Sequence, residues 1–263
     1  MNIKKINNSV IKKIDITTNN SSNWSYKSIF DKPYFNLGMI GQTQSGKTNI
    51  IYNLLFSSNE DNKNGLIQVN KKHHEFNTYV YIYCSTFNQD LLYKKIEEKL
   101  IKYNIEHTII EDYDNIKNNL KNMLIEMKDK KNNYDMFLDN HKKYKKELYP
   151  LFIVIFDDFN MTDKYFYNYM RSSRHLGVIN IIGLQSYKQL IYPARQQLNY
   201  LFILESNKNY LKDIYNNNLS NVTTEDKFIE LYNKIKKDNI YNFIYINMSN
   251  HEIRINLNYK VYF

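Results

Sequence analysis

The sequence predicts an α/β fold, a mostly parallel sheet flanked by helices on both faces. Three observations carry that expectation. Runs rich in apolar and β-branched residues alternate with segments of helical spacing, the order that builds strand–helix–strand crossovers. The run 151–156, LFIVIF, is apolar throughout, as a strand covered on both faces requires. A glycine-containing loop at 41–48 sits between a strand candidate and a helix candidate, at the carboxyl end of a strand, where open α/β sheets bind ligands.

Taken in order, residues 1–33 are polar and weakly patterned and read as an extension. A short strand near 11–17 is expected there, with Trp24 and Phe30 as anchors to the core. Pro33 introduces a strand at 34–40, and a helix follows at 47–56. Residues 57–77 form a polar connection, and 78–85, TYVYIYCS, has the β-branched and aromatic content of a strand. Helical spacing at Leu91, Leu92, Ile96, Leu100 and Ile101 marks 90–103, and 106–111 is a short strand. A second helix, 113–127, places Ile116, Leu120, Met123, Leu124 and Met127 on one face. The charged stretch 128–149 fits either a helix with a solvated face or an inserted loop. Beyond 151–156, a helix is expected at 164–175, strands at 178–185 and 201–205, a helix at 225–237, and strands at 241–247 and 253–263. The boundaries that result are 1–33 for the extension, 34–205 for the core, and 206–263 for a C-terminal part completing the same domain.

Residues 41–48, GQTQSGKT, match G-x-x-x-x-G-K-[ST] at every fixed position. Gly41 and Gly46 allow a tight loop whose successive amides, through Gln42, Thr43, Gln44 and Ser45, turn inward around phosphate oxygens. The helix that opens at Lys47, Thr48 and Asn49 adds its N-terminal dipole. In this motif the lysine reaches the β- and γ-phosphates and the hydroxyl ligates Mg²⁺, which gives those roles to Lys47 and Thr48. The run 151–156 ends in Asp157 and Asp158. A buried strand ending in acid presents Asp157 to the metal and leaves Asp158 to polarise an attacking water. ATP and Mg²⁺ are the expected substrate and cofactor.

No guanine-reading N-K-x-D motif is found, which argues against a regulatory GTPase. Lys47 and Asp157 lie 110 positions apart. That interval holds two strand–helix units and favours additional-strand ATPases related to RecA over simple kinases. Gln185 ends a strand expected beside the one carrying Asp157, where its amide can bond both a lytic water and a γ-phosphate. Arg174 and Arg195 are candidate cations for the charge that develops in phosphoryl transfer, in cis or from a neighbouring subunit, with Arg195 preferred because it precedes a core strand. His175 suits packing or capping, and His73 and His74 lack partners at metal-ligand spacing.

Net charge is +9 over 263 residues. A basic surface suits phosphate contacts with nucleic acid. However, Asn, Lys, Ile and Tyr are all abundant while glycine numbers 6 and proline 3. AT-rich codons would produce that bias whatever the function, so the charge is weak support. The basic stretches 128–131 and 142–146 suit a solvated helix face, with a DNA-facing pore as the alternative. No apolar run reaches the roughly 18 residues of a membrane span, no secretory signal is expected, and the single Cys84 excludes an internal disulfide. A reducing compartment is expected.

The segment 171–204, with Arg174, His175, Gln185, Pro193 and Arg195 set between apolar strands, together with Asp157 and Asp158, resembles the FtsK/HerA superfamily of P-loop ATPases. Within it the chain is most similar to the poxvirus-type virion DNA-packaging ATPases of large DNA viruses and virophages, over about 34–205. The resemblance implies a homo-oligomeric ring that moves double-stranded DNA without sequence specificity, docked on capsid or portal-vertex proteins. It also implies host cytoplasm or a viral factory, with virion association. Asp158 stands where many relatives in the wider superfamily carry Glu, and no separate DNA-tracking domain is found. Two other readings remain open from the residues: a nucleotide or nucleoside kinase, and an ATP-gated assembly factor without motor activity.

Overall fold

The computed structural model describes residues 1–5, 29–56, 65–67, 77–111, 114–140, 152–159 and 161–263. Among the described residues ten strands pair into one sheet: β1 (Asn2–Lys5), β2 (Asn36–Ile40), β3 (Tyr79–Cys84), β4 (His107–Ile110), β5 (Phe152–Asp157), β6 (Val178–Leu184), β7 (Tyr200–Ile203), β8 (Ile244–Asn247), β9 (Glu252–Ile255) and β10 (Tyr259–Tyr262). The spatial order is β1-β10-β9-β8-β7-β2-β6-β5-β3-β4. From β7 to β4 every neighbour is parallel. From β7 outward through β8, β9, β10 and β1 the pairing is antiparallel. The sheet runs unbroken from residues of the core into those of the C-terminal part, and β1 closes its far edge.

Helices cover both faces, as the doubly apolar strands demand. One face takes α1 (Lys47–Leu55) and α2 (Leu91–Lys102), whose Ile50, Leu54, Tyr93 and Ile96 pack on Ile82, Ile153 and Ile155. The other takes α3 (Ile116–Asn140), α4 (Lys164–Ser173), α5 (Tyr192–Arg195), α6 (Lys208–Asn218) and α7 (Glu225–Asp238). There Leu120, Met123, Phe166 and Phe228 join the core formed with Tyr83, Val154 and Phe156. All six residues of β5 are buried. Each large apolar side chain so buried is stabilised by about 1.5–3 kcal/mol relative to exposure, so β5 is a rigid base for the acids at its end.

Several expectations are corrected. Helix α6 was not anticipated: KNYLKDIYNNN is poor in strong helix formers and buries only Leu211 and Ile214. Its signal was the cap at Asn207, whose side chain accepts from Tyr210 N at 2.9 Å. The stretch 253–263 is not one strand but two, β9 and β10, separated by a turn in which Asn256 adopts φ +52°. Helix α3 continues to Asn140, so the first part of the charged stretch is helical. Phe30 is a core residue, whereas Trp24 and the strand expected near 11–17 lie outside the described residues.

Candidate nucleotide-binding site

The sheet order decides what the sequence motifs can do together. Strand β2 leads into the glycine loop and β5 into the two acids, and β6, which leads into Gln185, lies between them. All three strands are parallel, so the three chemical groups emerge together at the strands' carboxyl ends. Strand β6 neighbours β5, the placement expected for the strand that ends at Gln185.

The loop is anchored at its base by backbone bonds to both flanking strands' ends, Gly41 N to Leu184 O at 2.9 Å and Gln42 N to Glu205 O at 3.0 Å. A Cβ on Gly41 would stand 2.3 Å from Ser45 Oγ, so the close turn requires its absence. Gly46 adopts φ +97°, a left-handed conformation that turns the chain into α1. Lys47 is buried, and its Nζ donates to Gly41 O at 2.8 Å and Gln42 O at 3.2 Å, which folds the ammonium over the loop. Ser45 Oγ is buried without a hydrogen-bond partner among the described residues.

Across the cleft, Asp157 is 4% exposed. Its Oδ2 accepts a 2.8 Å bond from the Tyr93 hydroxyl, and its Oδ1 is buried with no hydrogen-bond partner among the described residues. Burial pushes its pKa up to about 6, with the neighbouring Asp158 adding to the rise while Tyr93 and Lys47 pull it down. Lys47 and Asp157 line the same cleft. The side chain fits only because Gly183 stands beside it on β6: a Cβ there would lie 2.2 Å from Asp157 Oδ1. Asp158 adopts φ +53° as the chain leaves the strand, and its Oδ1 accepts from Gln185 Nε2 at 3.2 Å.

These groups share one cleft of about 960 Å³, within the range of small-ligand sites. Thr43 to Asn49, Asp157 and Asp158 line it, and Gln185 reaches it through Asp158. Gly41 and Gln42 form the loop's base. Two expected residues are not brought in. Arg174 is exposed beyond α4 and its Nε donates to His175 Nε2 at 3.5 Å. Arg195 donates through Nε to Leu190 O at 2.8 Å and lies over the Tyr187 ring, 5.0 Å from its centroid. Neither lines the cleft of its own chain.

Sequence reading missed two parts of the cleft. One is the segment from Thr86 to Leu92, in which Asp90 caps α2 and accepts a 3.2 Å bond from the Thr48 hydroxyl. The other is a wall from Asn239 to Asn258. There Tyr241, 49% exposed, sets Cδ1 3.7 Å from where a Cβ on Gly46 would be. The turn is braced by Lys236 Nζ, which donates to Ile240 O and Asn242 O at 2.6 Å each, and by Asn256 Nδ2, which donates to Asn242 Oδ1 at 3.0 Å.

No protein-family model matches the chain, and no curated protein does. Solved structures do. The genome packaging NTPase B204 from Sulfolobus turreted icosahedral virus 2, in complex with ATP-gammaS, superposes with a TM-score of 0.51 at 15% identity, over 86% of this chain and 98% of that one. Its sulfate complex gives 0.52 at 15% identity over 86% and 97%. Its AMPPCP complex gives 0.51 at 14% identity over 86% and 97%. The chain has the P-loop NTPase fold. Among the described residues no helix is long and apolar enough to cross a membrane.

The site also fits a hard divalent cation. A hydroxyl and a carboxylate oxygen, the latter buried without a hydrogen-bond partner among the described residues, are the donors Mg²⁺ prefers. The described residues hold no cluster of three or more His, Cys, Asp or Glu side chains around a metal position. Mg²⁺ needs none, since it takes one or two protein oxygens and completes its shell with phosphates and water.

Proposed function

We propose that this chain is an ATP-hydrolysing motor that moves double-stranded DNA, acting as a ring of identical subunits to load a viral genome into a capsid. The observation that carries the ATPase reading is the opposition of the Lys47 loop to Asp157 and Asp158 across one cleft, with Gln185 bonded to Asp158. The fold shared with a viral genome packaging NTPase supports the packaging role, as do the residues that resemble the poxvirus-type branch. Capsid or portal-vertex proteins as partners, and host cytoplasm or viral factory as the place of action, belong to the same proposal.

In this reading the loop amides and Lys47 hold the triphosphate, while Thr48 and Asp157 would hold Mg²⁺. A bound ion would supply neutralisation of phosphate charge. Asp158 accepts a proton from water as its oxygen attacks the γ-phosphorus and the bond to ADP breaks, and the Gln185 amide orients that water. The nucleobase lies against the wall at 239–258, with Tyr241 offering a ring face. A further cation for the transition state would come from a neighbouring subunit. The exposed Arg174 suits that role better than Arg195, which is half-buried and lies over the Tyr187 ring.

The test is steady-state ATP hydrolysis with and without double-stranded DNA, for the wild type, Lys47→Ala and Asp158→Asn. DNA-stimulated phosphate release, lost in both variants while Asp158→Asn still binds ATP, is the expected result. Phosphorylation of a small acceptor would replace the motor with a kinase. Packaging supported by a ring-forming Asp158→Asn variant would replace it with an assembly factor. Loss of DNA affinity with rising salt would assign the +9 charge a phosphate-binding role.

A further inference from the structure

Thr48 and Asp157 come from different elements, α1 and the end of β5, yet a single turn of a third element grips both. Strand β3 runs beside β5 with Cys84 in register with Asp157. The chain then crosses toward the start of α1, makes one 3-10 turn at Phe87–Gln89, and enters α2 at Asp90. Asp90 Oδ1 caps the helix by accepting from Leu92 N at 2.8 Å, which leaves Oδ2 to accept from the Thr48 hydroxyl at 3.2 Å. Three residues on, one helical turn later, the fully buried Tyr93 donates its hydroxyl to Asp157 Oδ2 at 2.8 Å.

Each bond settles an orientation. A threonine hydroxyl that gives its proton to Asp90 must present lone pairs elsewhere. A carboxylate whose Oδ2 accepts from Tyr93 keeps Oδ1 as its unengaged oxygen, buried without a hydrogen-bond partner among the described residues. The Tyr93 ring cannot swing freely, since it packs against Phe87 with centroids 5.6 Å apart. We propose that Asp90 and Tyr93 are positioning residues for the metal, a clamp on the first turn of α2 that aims the two metal-binding oxygens at one point. The inference rests on the nucleotide–metal reading of the cleft and adds residues that no sequence motif assigns. Outer partners of this kind typically set metal affinity by 10–100-fold.

The experiment measures how tightly a non-hydrolysable ATP analogue binds in EDTA and across a Mg²⁺ titration, with Mn²⁺ binding to the analogue complex followed by electron paramagnetic resonance. Wild type is compared with Asp90→Asn, Asp90→Ser and Tyr93→Phe. Asparagine and serine keep a helix cap but cannot both cap and accept from Thr48 as the carboxylate does. The expected result is analogue affinity in EDTA within about twofold of wild type, with the divalent cation bound about tenfold or more weaker in every variant. Unchanged cation affinity in folded variants overturns the clamp alone, as does an equal loss of analogue affinity with and without metal. A wild type whose analogue binding ignores Mg²⁺ overturns the nucleotide–metal reading and the clamp with it. If Tyr93→Phe fails to fold, the two Asp90 variants decide.

Discussion

Gly183→Ala tests whether Asp157 works in the pose described. Gly183 lies on β6 beside the acidic end of β5, and a methyl there would stand 2.2 Å from Asp157 Oδ1 and 3.1 Å from Cγ. Ordinary contact begins near 3.4 Å, so the carboxylate must retreat by about 1.2 Å. The strand backbone cannot yield instead, because β5 is buried along its length and hydrogen-bonded on both sides. Retreat breaks the 2.8 Å bond from Tyr93. A hydrogen bond to a charged group contributes about 1.5–3 kcal/mol, and crowding a packed interior costs about 1–3 kcal/mol. The two overlap, so a loss of about 2–4 kcal/mol is expected in urea unfolding. A misplacement of about 1 Å at a reacting centre can lower turnover about 100-fold. Steady-state hydrolysis at saturating ATP and Mg²⁺ reads that effect, while metal-free nucleotide binding, which depends on the loop at 41–49, should be retained. Wild-type turnover in a folded Gly183→Ala protein would refute the placement of Asp157 as a metal-binding group.

Three further outcomes follow from the geometry. Asn180 is fully buried between β2 and α4, accepts from the Tyr169 hydroxyl at 2.6 Å and donates to Asn36 Oδ1 at 2.7 Å and Ser173 Oγ at 3.1 Å. Asn180→Ala strands those partners and should cost about 3 kcal/mol in chemical denaturation. Tyr241→Ala should raise the KM for ATP several-fold with kcat nearly unchanged, because a ring under the base binds ground state and transition state alike. Burial pushes the Cys84 thiol up to about 11, so the thiolate that reacts with a disulfide reagent stays scarce until the pH nears that value. At pH 8 the native protein should react slowly, and the reaction in urea should follow unfolding. Fast labelling of the folded chain would contradict the burial of Cys84.

The sequence alone determined the local chemistry of this protein. The loop at 41–48 and the apolar run ending in Asp157 and Asp158 were legible because each depends on neighbours along the chain: glycine for a left-handed turn, unbroken apolar residues for a doubly covered strand. Most strands and helices followed from the same periodicity. Elements with diluted patterns did not, since α6 is rich in asparagine and buries two apolar residues, and the break between β9 and β10 turns on the backbone of Asn256. Only the tertiary structure decided which distant segments meet. The strand order put β6 between β2 and β5, so that Gly183 makes room for Asp157 and Gln185 reaches Asp158. It also brought Asp90 and Tyr241 to a cleft that no spacing announces and set the buried Tyr93 against Asp157, and it left Arg174 and Arg195 outside that cleft. Local propensity fixes how a segment satisfies its own backbone, whereas the contacts of a side chain with residues a hundred positions away depend on how the sheet is ordered.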